Sequence, residues 1–379
     1  MNKLKIAQIV NIWQSVPPIG YGGTERVVAD LTEGLVKRGH DVTLFTTGDS
    51  KTSAHPAFFY QERLLHKNIP WNNYLYPLTH FLWAYDEIRK RGNFDIIHGH
   101  LSLASDFLSL AFASGQIVPS IFTLHFPLPL EKRNKDRKIL FEYLKNMNFV
   151  SISNSQRKLP LRFTGTVYHG ITVDEFPFNQ ESSNDSIVWI GRIVPEKGLE
   201  DAVEVAKRLG RKLVLGARVD KESESNLNYY KTQIEHKLQQ TPVVNHGEIT
   251  REKRNELLTS GRCFIFPIKW EEPFGLVMIE AMACGTPVIA YARGSTPEVI
   301  KDGETGFLVN SSDEDIRGDF VIKKIGIEGL KEAVQRIYDM PENEYKKMRK
   351  NCRTHVEQHF TAEKMVENYE NLYKQLIGT

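Results

Sequence analysis

The feature that most constrains this chain is an alternation kept up along its length. Short runs rich in valine and isoleucine are followed by stretches whose apolar residues recur at helical spacing. Such a pattern buries both kinds of element when helices cover the faces of parallel sheets, because parallel strands need crossover connections long enough to hold a helix. Strands are predicted at 5–10, 41–46, 96–98, 120–124 and 149–152, and a second series at 186–190, 212–215, 243–246, 263–266, 287–291 and 306–309. Between the two series, residues 174–185 are polar, contain Pro177 and lack periodicity, which marks a linker. The expectation is an α/β chain of two Rossmann-like domains, and 379 residues suffice for more than one core. Near the end, Met365, Val366, Tyr369, Leu372, Tyr373 and Leu376 define the apolar face of an amphipathic helix.

Several classes of protein drop out at this point. With 49 Lys+Arg against 47 Asp+Glu, bulk electrostatics cannot hold the chain to nucleic acid or anionic lipid. Cys263, Cys284 and Cys352 are too few and too scattered for a disulfide framework or a CxxC metal site, so reduced core thiols and a cytoplasmic home are expected. The apolar run 6–10 is broken by Gln8 and is too short for a signal peptide, so it reads as the first strand. The run 101–124 carries Asp106, Gln116 and Pro119 and reads as a buried helix followed by a strand rather than a membrane span.

Two segments carry chemistry. After the first strand, Gly20, Gly22 and Gly23 precede a helix with Val27, Val28, Leu31, Leu35 and Val36 on one face and Gly39 as its stop. Glycines ahead of a helix N-terminus let backbone N–H groups approach an anion. Gly22 and Gly23 therefore read either as a phosphate contact or as a flexible turn. About ten residues separate the first strand from these glycines, unlike the GxGxxG turn of nicotinamide dehydrogenases, so that class is disfavoured. The second segment is Trp270 to Pro287, where Pro273 and Gly275 mark a loop, 276–284 has helical composition and Gly285 closes the helix. Glu272 then lies at a strand's C-terminal edge, where open α/β sheets bind ligands, and Glu280 lies one to two turns into the helix. Carboxylates accept hydroxyl hydrogen bonds from vicinal diols, so this pair suits a ligand with two diol regions and a phosphate between them.

This run resembles the E-x(7)-E motif of retaining glycosyltransferases with the GT-B fold, and is similar to the signature of glycosyltransferase family 4. The resemblance extends through Gly20–Glu25, Arg38–Val42, Asp95–His98, Thr123–His125, Ser151–Ser155, His169–Ile171, Gly191-Arg192, Glu196–Gly198 and Gly303–Val309. Three positions depart from the family pattern: the long loop with Pro17-Pro18, His169 where the family often has Asn, and Ala292–Ser295 in place of a double glycine.

The resemblance implies two Rossmann-like domains facing a central cleft. Residues 1–178 would bind the acceptor, 179–359 the nucleotide-sugar donor, and 360–379 would form a helix crossing back to the first domain. It implies transfer of a hexose, with retention, from a UDP- or GDP-sugar to a hydroxyl of a glycan, lipid-linked or small-molecule acceptor. Glu272 would face the donor sugar and Glu280 the ribose, with the amides of Phe274, Gly275, Leu276 and Val277 on the hydroxyls and diphosphate. Arg192 and Lys197, together with Gly22 and Gly23, would contact the diphosphate, and His125 would orient the sugar by a ring N–H. A GT-B nucleotide-sugar epimerase and a non-catalytic nucleotide-sugar-binding protein are the alternatives.

No metal or other obligatory cofactor is expected: the acidic triplet Asp313-Glu314-Asp315 reads as a loop or helix cap rather than a metal motif. The basic stretch from Glu131 to Leu144 reads as a solvated helix face, with a weak peripheral contact at the inner membrane face as the competing reading. Trp13, Trp71, Tyr74, Tyr76, Trp83 and Phe126 crowd the first domain, most of them as core and one or two as acceptor-site candidates.

Overall fold

The computed structural model describes residues 3–20, 22–67, 69, 73–127, 135–221, 223–239 and 242–378, with the backbone alone for 135–138. Two compact units emerge from the contacts: Met1–Thr172 with Thr361–Thr379, and Val173–Phe360. The chain thus leaves its first unit once, builds the second, and returns.

The first unit is built on seven parallel strands: β1 Lys5–Ile9, β2 Asp41–Thr46, β3 His55–Phe58, β4 Ile96–Leu101, β5 Ser120–Leu124, β6 Asn148–Ser151 and β7 Phe163–Thr166. Their order is β3-β2-β1-β4-β5-β6-β7. Winding therefore reverses between β1 and β4, and the loops after these strands depart in opposite directions, which opens a crevice at their C-terminal ends. The edge strands β3 and β7 were not legible in the sequence. Pro56 and Gly165 interrupt them, and a strand at a sheet edge needs no continuous apolar run. The apolar stretch 101–124 divides into the end of β4, a helix at Leu108–Ala113 and β5. Among the described residues no helix is long and apolar enough to cross a membrane.

The helix Ala362–Ile377 completes this first unit. Tyr369 and Tyr373 are fully buried, and Val366 packs where a side chain on Gly34 would otherwise stand. Glu370 accepts from Arg38 Nη2 at 2.6 Å and lies 3.1 Å from His40 Nε2.

In the second unit the strands are β8 Ser186–Ile193, β9 Lys212–Val219, β10 Val243–Asn245, β11 Cys263–Phe266, β12 Val288–Tyr291 and β13 Gly306–Val309. They are parallel, in the order β10-β9-β8-β11-β12-β13, so the reversal falls between β8 and β11. Ile187, Trp189, Leu213, Leu215, Ile265 and Ile289 form the centre of its core. All three cysteines are free and buried, and burial pushes the Cys263 thiol up to about 12 and that of Cys284 to about 11. The polar stretch read as a linker is pinned to this unit. Asn255 Nδ2 donates to the Glu175 carbonyl at 2.8 Å, Arg353 Nη1 to that of Phe176 at 2.8 Å and Arg349 Nε to that of Asn179 at 2.9 Å. The units therefore divide between Thr172 and Val173 rather than after residue 178.

Candidate active site

In the second unit the loops after β8 and β11 are laid against each other at the reversal point. The loop after β8 makes one tight helical turn, Pro195–Lys197, which ends at Gly198 with φ 65°. A Cβ at Gly198 would stand 1.9 Å from the carbonyl oxygen of Pro267, so only glycine allows the approach. Lys269 N donates to the Glu196 carbonyl at 2.8 Å and fastens the two loops.

That contact brings Lys197 onto Glu272. The ammonium lies 2.8 Å from Glu272 Oε2, and Trp270 Nε1 donates to the same oxygen at 2.9 Å. The ammonium also lies 4.9 Å from the centroid of the Trp270 ring and 5.4 Å from that of Phe266. Glu272 is only 5% exposed, yet among the described residues no donor reaches its Oε1. One carboxylate oxygen is locked and the other is left to accept.

The Glu272 backbone is held as well. Ser295 N donates to the Glu272 carbonyl at 2.8 Å, and Ser295 Oγ donates to the Phe274 carbonyl at 2.8 Å. Gly294, with φ 60°, passes so close that a Cβ there would be 2.2 Å from the Glu272 carbonyl oxygen. The departure at Ala292–Ser295 thus keeps the one glycine this contact requires. Gly275, with φ 79°, turns the chain into the helix Leu276–Ala283. The first N–H groups of a helix lack intrahelical acceptors and carry the positive end of its dipole. Leu276 and Val277 are partly exposed there, whereas the Phe274 side chain is buried against Phe360.

The other expected donor residues are differently engaged. Glu280 is 3% exposed on the buried face of that helix and pairs with Arg254 Nη1 at 2.9 Å. Arg192, at the end of β8, reaches Asp220 Oδ2 at 3.4 Å, and Asn226 Nδ2 donates to the same oxygen at 2.9 Å. The structure thus joins Lys197 to Glu272 and gives Glu280 and Arg192 partners of their own.

In the first unit, His125 follows β5 as the central member of a row. Its Nε2 lies 3.0 Å from His100 Nδ1 and its Nδ1 3.3 Å from His169 Nε2, with the His125 and His169 rings stacked 5.1 Å apart. The ring of His98 lies 4.1 Å from that of His100, and its own nitrogens meet Tyr373 Oη at 2.7 Å and Thr123 Oγ1 at 2.8 Å. Burial holds all four imidazoles neutral, with His98 and His125 pushed down to about 3 and His100 and His169 well below the usual range. A neutral imidazole has one donor and one acceptor nitrogen, and both nitrogens of His125 are already committed. The expected ring N–H for a sugar hydroxyl is therefore not free. His169, one of the departures from the family pattern, is what occupies one of them.

Gly22 and Gly23 lie in this same unit, where a Cβ on Gly22 would meet the Pro18 ring at 2.6 Å. The helix Gly23–Lys37 starts there and carries Glu25 in its first turn. Glu25 is buried and accepts from Asn11 Nδ2 at 3.1 Å, and Asn11 follows β1. Asp106, past the end of β4, is fully buried and accepts from Ser102 N and Leu103 N, each at 2.8 Å. Burial raises both acids, Asp106 to about 6. Composition held no sign of this pair: two acids far apart in the chain converge only because β1 and β4 are neighbours.

Asp315 pairs with Arg293 Nη2 at 2.7 Å and with Arg317 Nε, and Arg317 Nη2 reaches Glu271 at 2.7 Å. Trp13 and Phe126 are buried core residues, whereas Tyr74 is exposed. Trp71 and residues 131–134 lie outside the described residues. The helix Lys135–Tyr143 exposes Ile139 and Tyr143.

With this geometry in hand, the chain can be compared with known proteins. Residues 21–159 match the Glycosyltransferase Family 4 domain and residues 172–355 the Glycosyl transferases group 1 domain. N-acetyl-alpha-D-glucosaminyl L-malate synthase of Bacillus anthracis is 24% identical, over 99% of this chain and 98% of its own. Sucrose-phosphate synthase from Thermosynechococcus elongatus superposes with a TM-score of 0.80 at 22% identity, covering 99% of this chain and 100% of its own. HepE from Anabaena, solved with UDP and glucose, gives a TM-score of 0.70 at 17% identity, covering 98% of this chain and 100% of its own. The fold is that of the GT-B glycosyltransferases.

Proposed function

Because the chain belongs to glycosyltransferase family 4, we propose that it moves a hexose from a UDP- or GDP-sugar to an acceptor hydroxyl with retention at the anomeric carbon. The acceptor would be a hydroxyl of a glycan, a lipid-linked sugar or a small molecule. The observation that carries this reading is the meeting of Lys197 and Glu272 at the reversal point of the second sheet, beside the start of the helix Leu276–Ala283.

In this mechanism the bond between the anomeric carbon and the diphosphate oxygen breaks, and its electron pair leaves with the diphosphate. Lys197, Arg192 and the first amides of the helix stabilise that growing charge more than the bound ground state. The acceptor oxygen attacks from the face the diphosphate is leaving, and its proton passes to the departing phosphate oxygen. The products are a glycoside and a nucleoside diphosphate. Glu272 Oε1 accepts a hydroxyl of the transferred sugar, and Glu280 takes the ribose hydroxyls in competition with Arg254. His125 orients the sugar as part of its row: either the longer bond, to His169, opens for a hydroxyl or the ring acts by its shape. HepE was solved with UDP and glucose, which supports a uridine nucleotide among the donors to test.

Incubation with UDP-, GDP- and ADP-glucose, with sugar and nucleotide products followed by mass spectrometry, tests the reading. Transfer to an added acceptor supports it. An isomerised nucleotide sugar with no transfer, or binding of none of the donors, overturns it.

A further inference from the structure

Glu272 Oε2 carries two donors of different character. Lys197 is a mobile cation with a strong claim on phosphate, whereas the Trp270 indole is a neutral group that can only donate. When a diphosphate draws Lys197 away, as the proposed donor site requires, a carboxylate only 5% exposed loses its counter-charge. Stripping one partner from a buried pair is costly, because the remaining charge is left without compensation. The indole has no reason to follow the phosphate, so its N–H stays on Oε2 and keeps Oε1 turned outward.

We propose that Trp270 is a positioning residue: its indole N–H holds Glu272 in place while Lys197 transfers from the carboxylate to the ligand's phosphates. Trp270 then lowers the cost of releasing Lys197, and its effect on nucleotide binding depends on Glu272. The inference rests on the donor-site reading above. A ring that merely packs would act through its bulk, which phenylalanine largely preserves.

Calorimetric titration with UDP, GDP and ADP in turn identifies the binding nucleoside diphosphate, which lacks the sugar and so avoids any contact between Glu272 and a hexose. That nucleotide is then titrated into W270F, W270H, E272Q and W270F/E272Q. The expected result is a loss of about tenfold in affinity for W270F, the scale of one hydrogen bond to a charged group, with partial recovery in W270H, which can donate again. With E272Q already present, adding W270F should change affinity by less than about twofold, because the two act as one unit. Equal affinity of W270F and wild type overturns the proposal, and so does a tenfold loss that persists alongside E272Q. If wild type binds none of the three nucleotides, the donor reading itself falls and takes this inference with it. If wild type binds and W270F is unchanged, the inference alone fails.

Discussion

The Lys197 ammonium and the Glu272 carboxylate lie 2.8 Å apart, so the two groups assigned to the diphosphate and the sugar neutralise each other before a ligand arrives. On the proposed donor reading, binding a nucleotide sugar exchanges ionic partners, and each partner's removal should have a distinct signature.

Lys197→Met should lower kcat by about 10²- to 10³-fold, the range for loss of one pre-placed group on developing charge. Affinity for a nucleoside diphosphate should fall less, because Arg192 and the helix start remain. Steady-state kinetics alongside calorimetry checks the difference, and an unchanged kcat would remove Lys197 from the mechanism.

Transfer should survive EDTA. In the proposed mechanism Arg192, Lys197 and the helix start supply positive charge opposite the leaving diphosphate, and Asp315 is already paired with Arg293 and Arg317. Product formation assayed in EDTA and then with added Mg²⁺ or Mn²⁺ checks this; strict dependence on the added ion would count against it.

Acid should unfold the first unit early. His98 and His125 are pushed down to about 3 by burial and the other two of the row further below the usual range, so the unfolded chain binds protons that the folded chain refuses. Their contribution is complete above about pH 6.5 and is lost as pH falls through that value toward the folded values. Asp106, raised to about 6, works the other way: its contribution is present below its ordinary range near 4 and fades as pH rises through 6. The four histidines outnumber the two raised acids, Glu25 and Asp106, so urea midpoints should fall as pH drops from 6.5 to 4.5. In D106N the fall should be steeper, since one of the two opposing acids is gone.

Gly198→Ala should destabilise the second unit by at least about 2 kcal/mol, because φ of 65° strains an L-residue and the added methyl meets Pro267 O at 1.9 Å. Turnover should fall further than stability accounts for, since the same loop carries Lys197. Unfolding and kinetics measured on one preparation separate the two effects.

The central strands and the Trp270–Pro287 loop and helix were legible because each depends on neighbouring residues: a continuous apolar run, a glycine before a helix, a proline in a loop. The partners were not legible. That Glu280 faces Arg254, and that both nitrogens of His125 are held by His100 and His169, depends on which strands and helices become neighbours. Trp270, two residues from Glu272, was visible as a residue but not as a donor, since spacing does not say where an indole N–H points. The boundary lay earlier than expected because carbonyls at 175–179 bond to side chains of the second unit, and polarity alone reads as a free linker.

The return of the helix Ala362–Ile377 to the first unit has a consequence for synthesis. Tyr373 is a partner of His98, and Glu370 binds Arg38 and His40, so the first unit's fold waits on residues that are made only after the second unit. The second unit, Val173–Phe360, is whole before them. The first unit therefore starts before the second and is completed after it, and a nascent chain halted at Phe360 would carry a complete second unit and a first one with its buried tyrosine sites unfilled.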